Sequence, residues 1–584
     1  MSVLFEKILN KIKLKAYYEI KKYRENQLNK KLIKIRTLVN SITNNRENLS
    51  QKKILFTLNF SIYKPNKIND FLLSQSLILR GAHIIPVICG GVQKGQCSVA
   101  GGVWGNYIGD KEKDFFRKIN NCKRCIKSDL DLWKNFSEKT PICLSRFIKT
   151  NDKKNIENIV TNYDISSYRD WKYDDIEVGS IILKTLRNNE LLIDENKVKE
   201  REELIKNYLF NSILLIELFK RLLIDIKPFC IVTNNTFYYP WFYFEKIAKK
   251  FKIPIYPSGP GGKKNTWCYA TDQRAMPVDK NAEKIWHFWQ NKKLSKKEEF
   301  LIDDYLNNFS SGKSMIINTT GIDSKVKNKN HSFFEFLKGE EKVALLITNV
   351  AWDAAVLDVD YLFNDMFEWI FEVINFFSKN RQWKLIIKSH PAEIHKSFPE
   401  SRQKVEDEIL KKFKKIPENI FLLNPSFGIS VYDLFSNINL GLVYSSTVGL
   451  EMVCRKIPVV PAGKAIYWNK GFTFDAKTKM QYFDYLKLLL NQGISEEEKD
   501  KRYILAKKFF YIFHFILYLD TGLFDWDAKQ NINLKITHKD LLPGRNLVWD
   551  YICDSILEGK NIIDEYRFPP VVCNNKVITK SPRF

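Results

Sequence analysis

At 584 residues the chain is long enough for two or three domains with substantial cores, and an apolar content of 45% excludes disorder as the default state. The formal charge of +26 points to anionic partners, whether nucleic acid, an anionic membrane leaflet or anionic sugars and nucleotides, although a coding bias toward Lys and Asn produces the same charge with no partner at all. No run reaches the roughly 18 to 20 apolar residues that span a bilayer, the start carries no cleavable signal pattern, and ten cysteines are too sparse for a disulfide scaffold, so the expected compartment is the cytoplasm.

Residues 1–50 read as a basic amphipathic helical segment. Phe5, Ile8, Leu9, Ile12, Ala16 and Ile20 fall on one face at helical spacing, and residues 1–40 carry eleven Lys or Arg against three Glu. Such a helix suits an anionic membrane surface, while an ordinary surface helix packing its stripe on the domain behind it has the same pattern.

From Lys53 the pattern alternates strand and helix, which defines a first Rossmann-like domain over 51–290. Ile54–Leu58 reads as a strand, Asp70–Arg80 as a helix stopped at Gly81, and His83–Ile88 as the next strand. No G-x-G-x-x-G follows the first strand, so dinucleotide binding is not supported.

A glycine-rich loop with Gly90, Gly91, Gly95, Gly101, Gly102 and Gly105 then separates Cys89 and Cys97 from Cys122 and Cys125. Four thiols with one C-x2-C pair are able to close a structural zinc site or hold an iron–sulfur cluster, and free or redox-active cysteines are the competing reading. A charged helical insertion over 127–225 leads to the strand Phe229–Thr233. The loop Ser258–Lys264, rich in glycine and ending in two lysines, reads either as an anion-binding loop or as a plain turn.

Polar residues 291–340 read as a linker. A second Rossmann-like domain follows over 341–500, opening with the strand Val343–Thr348. The strand Lys384–Ile387 delivers Lys388-Ser389-His390-Pro391-Ala392-Glu393, and the strand Leu440–Val443 delivers Ser445, Ser446 and Thr447 ahead of a helix carrying Glu451. Residues 501–584 read as C-terminal helices and a tail that pack back across the first domain, with Phe509–Leu519 as a buried segment.

Asn349 to Asp353, His390 and Ser445 to Thr447 each follow a separate strand of what should be one parallel sheet, so they converge on its carboxyl edge, where open α/β sheets bind ligands. The helix that opens after Ser446 offers free N–H groups to an anion, His390 is able to donate to a phosphate oxygen, and Glu451 is placed to accept from a ribose or base. A strand-end turn at His390-Pro391 and a simple helix cap at Ser445–Thr447 are the bland readings of each piece alone.

The motifs Ile387-Lys388-Ser389-His390-Pro391-Ala392-Glu393, Asn419-Ile420, Ser430-Val431-Tyr432, Val443–Glu451, Ile457–Val460 and Tyr467–Thr473 together resemble the bacterial capsule polysaccharide biosynthesis family, which includes transferases of the acidic sugar Kdo. The pattern departs at Arg455-Lys456-Ile457-Pro458, where a glycine is expected before the lysine. The resemblance implies an α/β protein of GT-B type, with two Rossmann-like doubly wound domains facing a cleft and the N-terminal amphipathic helix added. It implies a glycosyltransferase that takes a nucleotide-sugar donor, a CMP-activated acidic sugar being one such donor, in the second domain and a surface polysaccharide or its lipid-linked precursor in the first.

Lys388, His390, Pro391, Glu393, Asn349, Ser445, Ser446, Thr447 and Glu451 would then hold the donor. Catalysis would need no metal or other cofactor, with His390 stabilising the leaving phosphate and Asp353 or Asp70 as general base, Glu245 behind them. The implied setting is peripheral to the inner membrane, with no specific nucleic acid. Two other classes remain: a glycerophosphotransferase of teichoic-acid type, and a non-enzymatic module whose basic surface binds RNA or membrane.

Overall fold

The computed structural model describes residues 2–43, 52–57, 63–93, 97, 115–134, 141–198, 201–234, 236, 239–275, 279–310, 331–353, 356, 358–394, 400–527, 530–564, 567, 571–573 and 576–579. In the first helix the side chains of residues 19, 20 and 23–43 are described, so the expected stripe from Phe5 through Ala16 lies outside them, as do Gly95, Gly101, Gly102 and Gly105.

Two mostly parallel sheets organise the chain. The first has the order β3-β2-β1-β4-β5-β6, with β1 Lys53–Thr57, β2 His83–Ile88, β3 Ile142–Cys143, β4 Cys230–Asn234 and β5 Ile255–Pro260 all parallel, and β6 Trp267–Tyr269 antiparallel at the edge. The second has the order β11-β10-β7-β8-β9, with β7 Val343–Ile347, β8 Lys384–Lys388, β9 Ile420–Leu423, β10 Leu440–Val443 and β11 Val459–Pro461 parallel throughout.

The unbroken apolar runs of β7 and β10 are buried at every position because helices cover both faces, which is what parallel sheets require. In each sheet the chain winds outward in one direction and then crosses to the other side of its first strand. The switch points therefore fall between β1 and β4 and between β7 and β10. This confirms the two doubly wound, Rossmann-like units expected from the sequence.

The helix after β1 runs Lys64–Leu79 and starts six residues before the expected Asp70, because Pro65 in its first turn presets the helical φ and sacrifices no hydrogen bond there. It still stops where Gly81 takes a φ of +94°. The helical insertion supplies its own core on one face of the first sheet, chiefly through the helix Arg201–Ile226 with Leu209, Ile213, Leu215, Phe219 and Leu222.

Residues 291–340 are not simply a linker. The helix Lys296–Ser310 buries Leu301, Ile302, Tyr305 and Leu306 in the main core, and Phe333 packs against Phe421 under β9. Apolar residues at helical spacing were diluted there by lysines and acids, so composition suggested a connector where packing makes an element.

The C-terminal region does return across the first domain. The helix Glu496–Tyr511 continues through a π-helical turn, Ile512–Ile516, and Leu519 then exchanges two backbone hydrogen bonds with Trp267 on the edge strand β6. The helix Leu547–Glu558 anchors on the helix after β1, where Trp549 donates to the Ser76 hydroxyl and the buried Arg80 pairs with Asp550. Among the described residues no helix is long and apolar enough to cross a membrane.

Candidate active site

The carboxyl ends of β10, β7 and β8 lie side by side, and direct bonds join the residues that leave them. The Ser445 amide donates to the Asn349 side-chain oxygen at 3.3 Å, across the switch point between β10 and β7. The His390 amide donates to the Thr348 hydroxyl at 3.2 Å, across β7 and β8. Asn349, His390 and Ser445 therefore form one rim. Asn349 reaches it as a brace for the Ser445 turn rather than as a group open to a ligand, since it is buried and its oxygen is engaged.

His390 caps the short 3-10 turn Pro391–Glu393, with its Nδ1 accepting the Ala392 amide at 3.0 Å. That bond fixes the neutral tautomer, so the proton sits on Nε2 and that nitrogen is the donor the site can offer. Burial and the neighbouring Lys388 charge push the His390 pKa down to about 4, which keeps the ring neutral at physiological pH. The sequence anticipated a histidine at an anion; the geometry makes it a neutral donor.

Lys388 ends β8 two residues earlier, on the same side of the strand. It is 5% exposed, its ammonium makes no hydrogen bond or ion pair among the described residues, and burial lowers its pKa to about 8, with Asp433 opposing the shift. Asp433 itself closes the capping box of the turn Val431–Asn437 by accepting the Ser430 amide at 3.1 Å. An unpaired buried lysine beside a histidine N–H is a strong place for an anion to bind.

The next groups come from the β10 end. The Ser446 and Thr447 amides and the Thr447 hydroxyl have no hydrogen-bond partner among the described residues, while the Ser446 hydroxyl accepts the Val448 amide at 3.3 Å. The helix Val448–Val453 has only six residues, so its contribution is these open N–H groups rather than a sizeable dipole.

Tyr467, fully buried, donates to the Ser446 carbonyl at 2.6 Å and so holds the turn in place. A Cβ on Gly449 would stand 2.1 Å from the Tyr467 hydroxyl. Gly449→Ala should therefore displace that hydroxyl, cost about 1–3 kcal/mol in thermal unfolding and weaken donor binding. Adding Tyr467→Phe should recover part of the stability, because the clashing atom is gone, but not the binding.

Glu451 and Glu393 differ in what their carboxylates face. Glu451 is buried, with one oxygen accepting the Tyr432 hydroxyl at 2.7 Å and the other without a partner, and burial raises its pKa to about 7. That orphan oxygen leaves room for one hydrogen bond from a bound hydroxyl or amine. Glu393 instead accepts the Val405 amide at 3.1 Å, at the start of the helix Val405–Lys412, and is raised to about 8 by burial. Its role is to cap that helix, so it is not positioned to contact a donor; Pro391 only shapes the turn.

The two candidate bases are far apart in character. Asp353 is exposed, just beyond a contact in which the first domain covers the β7 loop: Leu191 packs with Val350, Trp352 and Ala392, and the Gln403 side chain accepts the Ile193 and Asp194 amides at 2.9 and 3.2 Å. Nothing in the sequence marked Leu191 or Gln403, since their pairing depends on two elements more than 200 residues apart. Asp70 is buried on the helix after β1, neither oxygen receives a hydrogen bond of good geometry, and burial raises its pKa to about 8. Near it, at the first sheet's switch point, Thr57 and Thr233 share a hydrogen bond of 2.8 Å and Asn66 donates to Asn234 at 2.6 Å. Glu245 lies on the helix Trp241–Lys250 with one buried oxygen unpartnered.

The four candidate metal-ligand cysteines, Cys89, Cys97, Cys122 and Cys125, are all half-buried. Among the described residues no three His, Cys, Asp or Glu side chains converge as metal ligands would. Cys89 lies within electrostatic reach of Cys122, Cys89 and Cys97 both lie within electrostatic reach of Tyr239, and the Cys125 thiol faces Asp129 at 3.8 Å. Asp129 in turn forms a buried ion pair with Lys67, which uses one of the acids near the thiols. The Gly-rich loop Ser258–Lys264 is a hairpin turn and not an anion loop: Gly261 and Gly262 lie against Tyr518, and the Lys263 ammonium lies over the Phe515 ring at 4.8 Å.

An α/β protein with two doubly wound sheets, and with an anion-ready rim at the switch point of the second, is the class this geometry defines. Residues 267–484, a segment that holds the whole rim, match the family described as capsule polysaccharide biosynthesis protein. Among solved structures the chain is similar to the Thermosulfurimonas dismutans KpsC beta Kdo 2,4 transferase (11% identity, 54% of this chain and 87% of that one, TM-score 0.31). It is also similar to the KpsC beta Kdo 2,7 transferase of the same organism (12%, 59% and 89%, 0.30) and to the Neisseria meningitidis UDP-GlcNAc 2-epimerase bound to UDP-GlcNAc (13%, 78% and 95%, 0.23). Comparison with curated protein sequences gave no match.

Proposed function

We propose that the protein is a glycosyltransferase of capsule polysaccharide synthesis, taking a nucleotide-sugar donor on the second sheet and a polysaccharide or lipid-linked saccharide acceptor on the first. The observation that carries this reading is the convergence of an unpaired Lys388 ammonium, the His390 Nε2–H and the open Ser446 and Thr447 amides at the switch point, inside the family-matched segment. These groups suit a donor phosphate, and the orphan oxygen of Glu451 suits a nucleoside hydroxyl or amine.

In the transfer step a carboxylate takes the proton of an acceptor hydroxyl as its oxygen bonds to the anomeric carbon. The bond from that carbon to the phosphate oxygen breaks, and the negative charge gained by the leaving nucleotide is met by Lys388 and His390. This arrangement neutralises the leaving group with protein groups alone. Asp353 is the better placed base, because it is exposed at the end of the β7 loop, whereas Asp70 is buried, largely protonated at neutral pH and would need the fold around it to open. The surroundings proposed for the reaction are the cytoplasmic face of the inner membrane.

The full-length protein, offered CMP-, UDP- and GDP-sugars and CDP-glycerol, should be thermally stabilised by one nucleotide sugar and should release its nucleotide when a capsular glycan is added. Turnover of CDP-glycerol with no response to any nucleotide sugar would instead establish the teichoic-acid type of transfer.

A further inference from the structure

Away from both sheet edges, the middle of the first helix, Ser2–Thr43, runs beside the small hairpin of β12 Phe524–Trp526 and β13 Ile532–Leu534. Between them lies an open groove with a volume of about 540 Å³, within the roughly 300–1,000 Å³ range of small-ligand sites. One wall is the helix face of Tyr23, Gln27 and Lys31, at successive i, i+4 positions, with Arg24 beside them. Lys264 and Asn265 close one end, and the backbone and amides of Asn531 and Asn533 form the opposite wall.

The charges in this groove are not balanced. Against its three cations stand two acids: Asp525 is paired with Lys535 and accepts from Asn265 at 2.9 Å, while Asp527 keeps its charge and accepts the Asn531 backbone and side-chain amides at 2.9 and 2.8 Å. Arg24 and Lys264 have no acidic partner among the described residues, and Lys31 reaches only the Leu534 carbonyl at 3.4 Å. Tyr23 remains 64% exposed among the described residues. Two or three unopposed cations, amide walls and an exposed aromatic ring are the complement of a chain of hydroxyl-rich rings that bears carboxylates. A lipid surface would want a broad apolar face beside the cations, and here the apolar floor is confined to Leu28, Trp526, Ile532 and Leu534.

The groove is also connected to the first sheet's rim. Trp526 on its floor donates to the Tyr63 hydroxyl at 2.8 Å, Gln530 accepts the Lys64 amide at 2.9 Å, and Tyr63 and Lys64 open the helix whose next turn carries Asn66 to the end of β4. We propose that this groove binds an acidic, carboxylate-bearing oligosaccharide and holds the growing glycan chain as it leads away from the acceptor rim. The inference takes from the transferase reading only the presence of a glycan acceptor; the sign of the ligand's charge comes from the groove.

The test measures equilibrium binding of the full-length protein, by intrinsic fluorescence and calorimetry, to a short oligogalacturonate, to neutral oligoglucose of equal length and to phosphatidylglycerol vesicles. The acidic oligomer should bind with an affinity that falls with added salt, and the neutral one should not bind. The doubly substituted Arg24→Glu, Lys264→Glu protein should lose about tenfold or more in that affinity, as expected for removing charged contacts, while its unfolding temperature and its nucleotide binding stay unchanged. Tyr23→Ala should weaken the acidic oligomer without altering the salt dependence. Equal binding of acidic and neutral oligomers, an unaffected double variant, or binding to vesicles alone would each overturn the proposal. If charge-selective binding survives while no nucleotide sugar is ever turned over, the groove stands and the transferase reading falls; active transfer with no groove binding is the reverse.

Discussion

Replacing His390 by alanine is expected to lower sugar transfer about 10²- to 10³-fold, the usual loss when one preorganised donor to a developing negative charge is removed. The ring does two things, and the variants separate them. Its Nδ1 accepts the Ala392 amide and so caps the turn Pro391–Glu393, while Nε2–H is the group left for a ligand. Alanine removes both and should also cost about 1 kcal/mol of stability for the lost cap. Asparagine is a good capping residue, so His390→Asn should return the unfolding temperature to near that of the natural protein without restoring kcat. If His390→Ala keeps transfer within a few-fold of the natural protein, the histidine is a turn residue and the rim lies elsewhere.

The pH profile adds a second check. The His390 pKa is depressed to about 4 from an ordinary 6.5, so the unfolded chain binds more protons in that window. Stability supplied by keeping the ring neutral is present above about 6.5 and lost as pH falls toward 4. Activity should show no titration of this histidine near neutrality. An activity limb with a midpoint near 6.5 that vanishes in His390→Asn would contradict the neutral-donor role.

The sequence was most informative where a short motif follows a strongly apolar run. Val343–Ile347, Lys384–Lys388 and Leu440–Val443 are strands, and His390, Asn349 and Ser445 do leave neighbouring ones. What it could not reveal is which of the motif residues turn inward. Glu393 stands three positions from His390 and reads as a ligand contact, yet it caps the helix Val405–Lys412 because the backbone turn at Pro391 carries it away from the rim. Thr348 carries no chemical signature of its own in the chain, and Tyr467, although it opens one of the family-like motifs, shows its role only in the bond it makes to the Ser446 carbonyl. The lysine-rich stretch at 296–310 misled for a different reason, since long charged side chains on one face of a helix dilute the apolar spacing of the buried face.

For the cysteines, spacing alone fixes only a local relation. A C-x2-C pair on the helix Phe115–Trp133 places Cys122 and Cys125 three positions apart, on nearly the same face, yet Cys122 approaches Cys89 while Cys125 faces Asp129.

Lys388 offers the sharper experiment on the rim, because its effects on stability and on binding run in opposite directions with pH. Burial lowers its pKa to about 8 from an ordinary 10.5. Between those values the unfolded chain binds the extra proton, so this group's contribution makes the fold more stable as pH rises through the window and less stable below about 8, where a charge is held without an acidic partner. An anionic donor prefers that charged form. Nucleotide-sugar affinity should therefore weaken as pH rises above about 8, and binding above that pH should take up a proton, seen in calorimetry as a heat that changes with the buffer's ionisation enthalpy.

Lys388→Met keeps the length and removes the charge. At neutral pH it should cost about ten- to a hundredfold in donor affinity, as for a hydrogen bond to a charged group, while raising the unfolding temperature because the unpaired buried charge is gone. Both the pH-dependent affinity and the proton uptake should disappear with it. A methionine variant that binds donor as tightly as the natural protein, or one that is destabilised at pH 7, would show that the lysine is satisfied within the fold and does not await a phosphate.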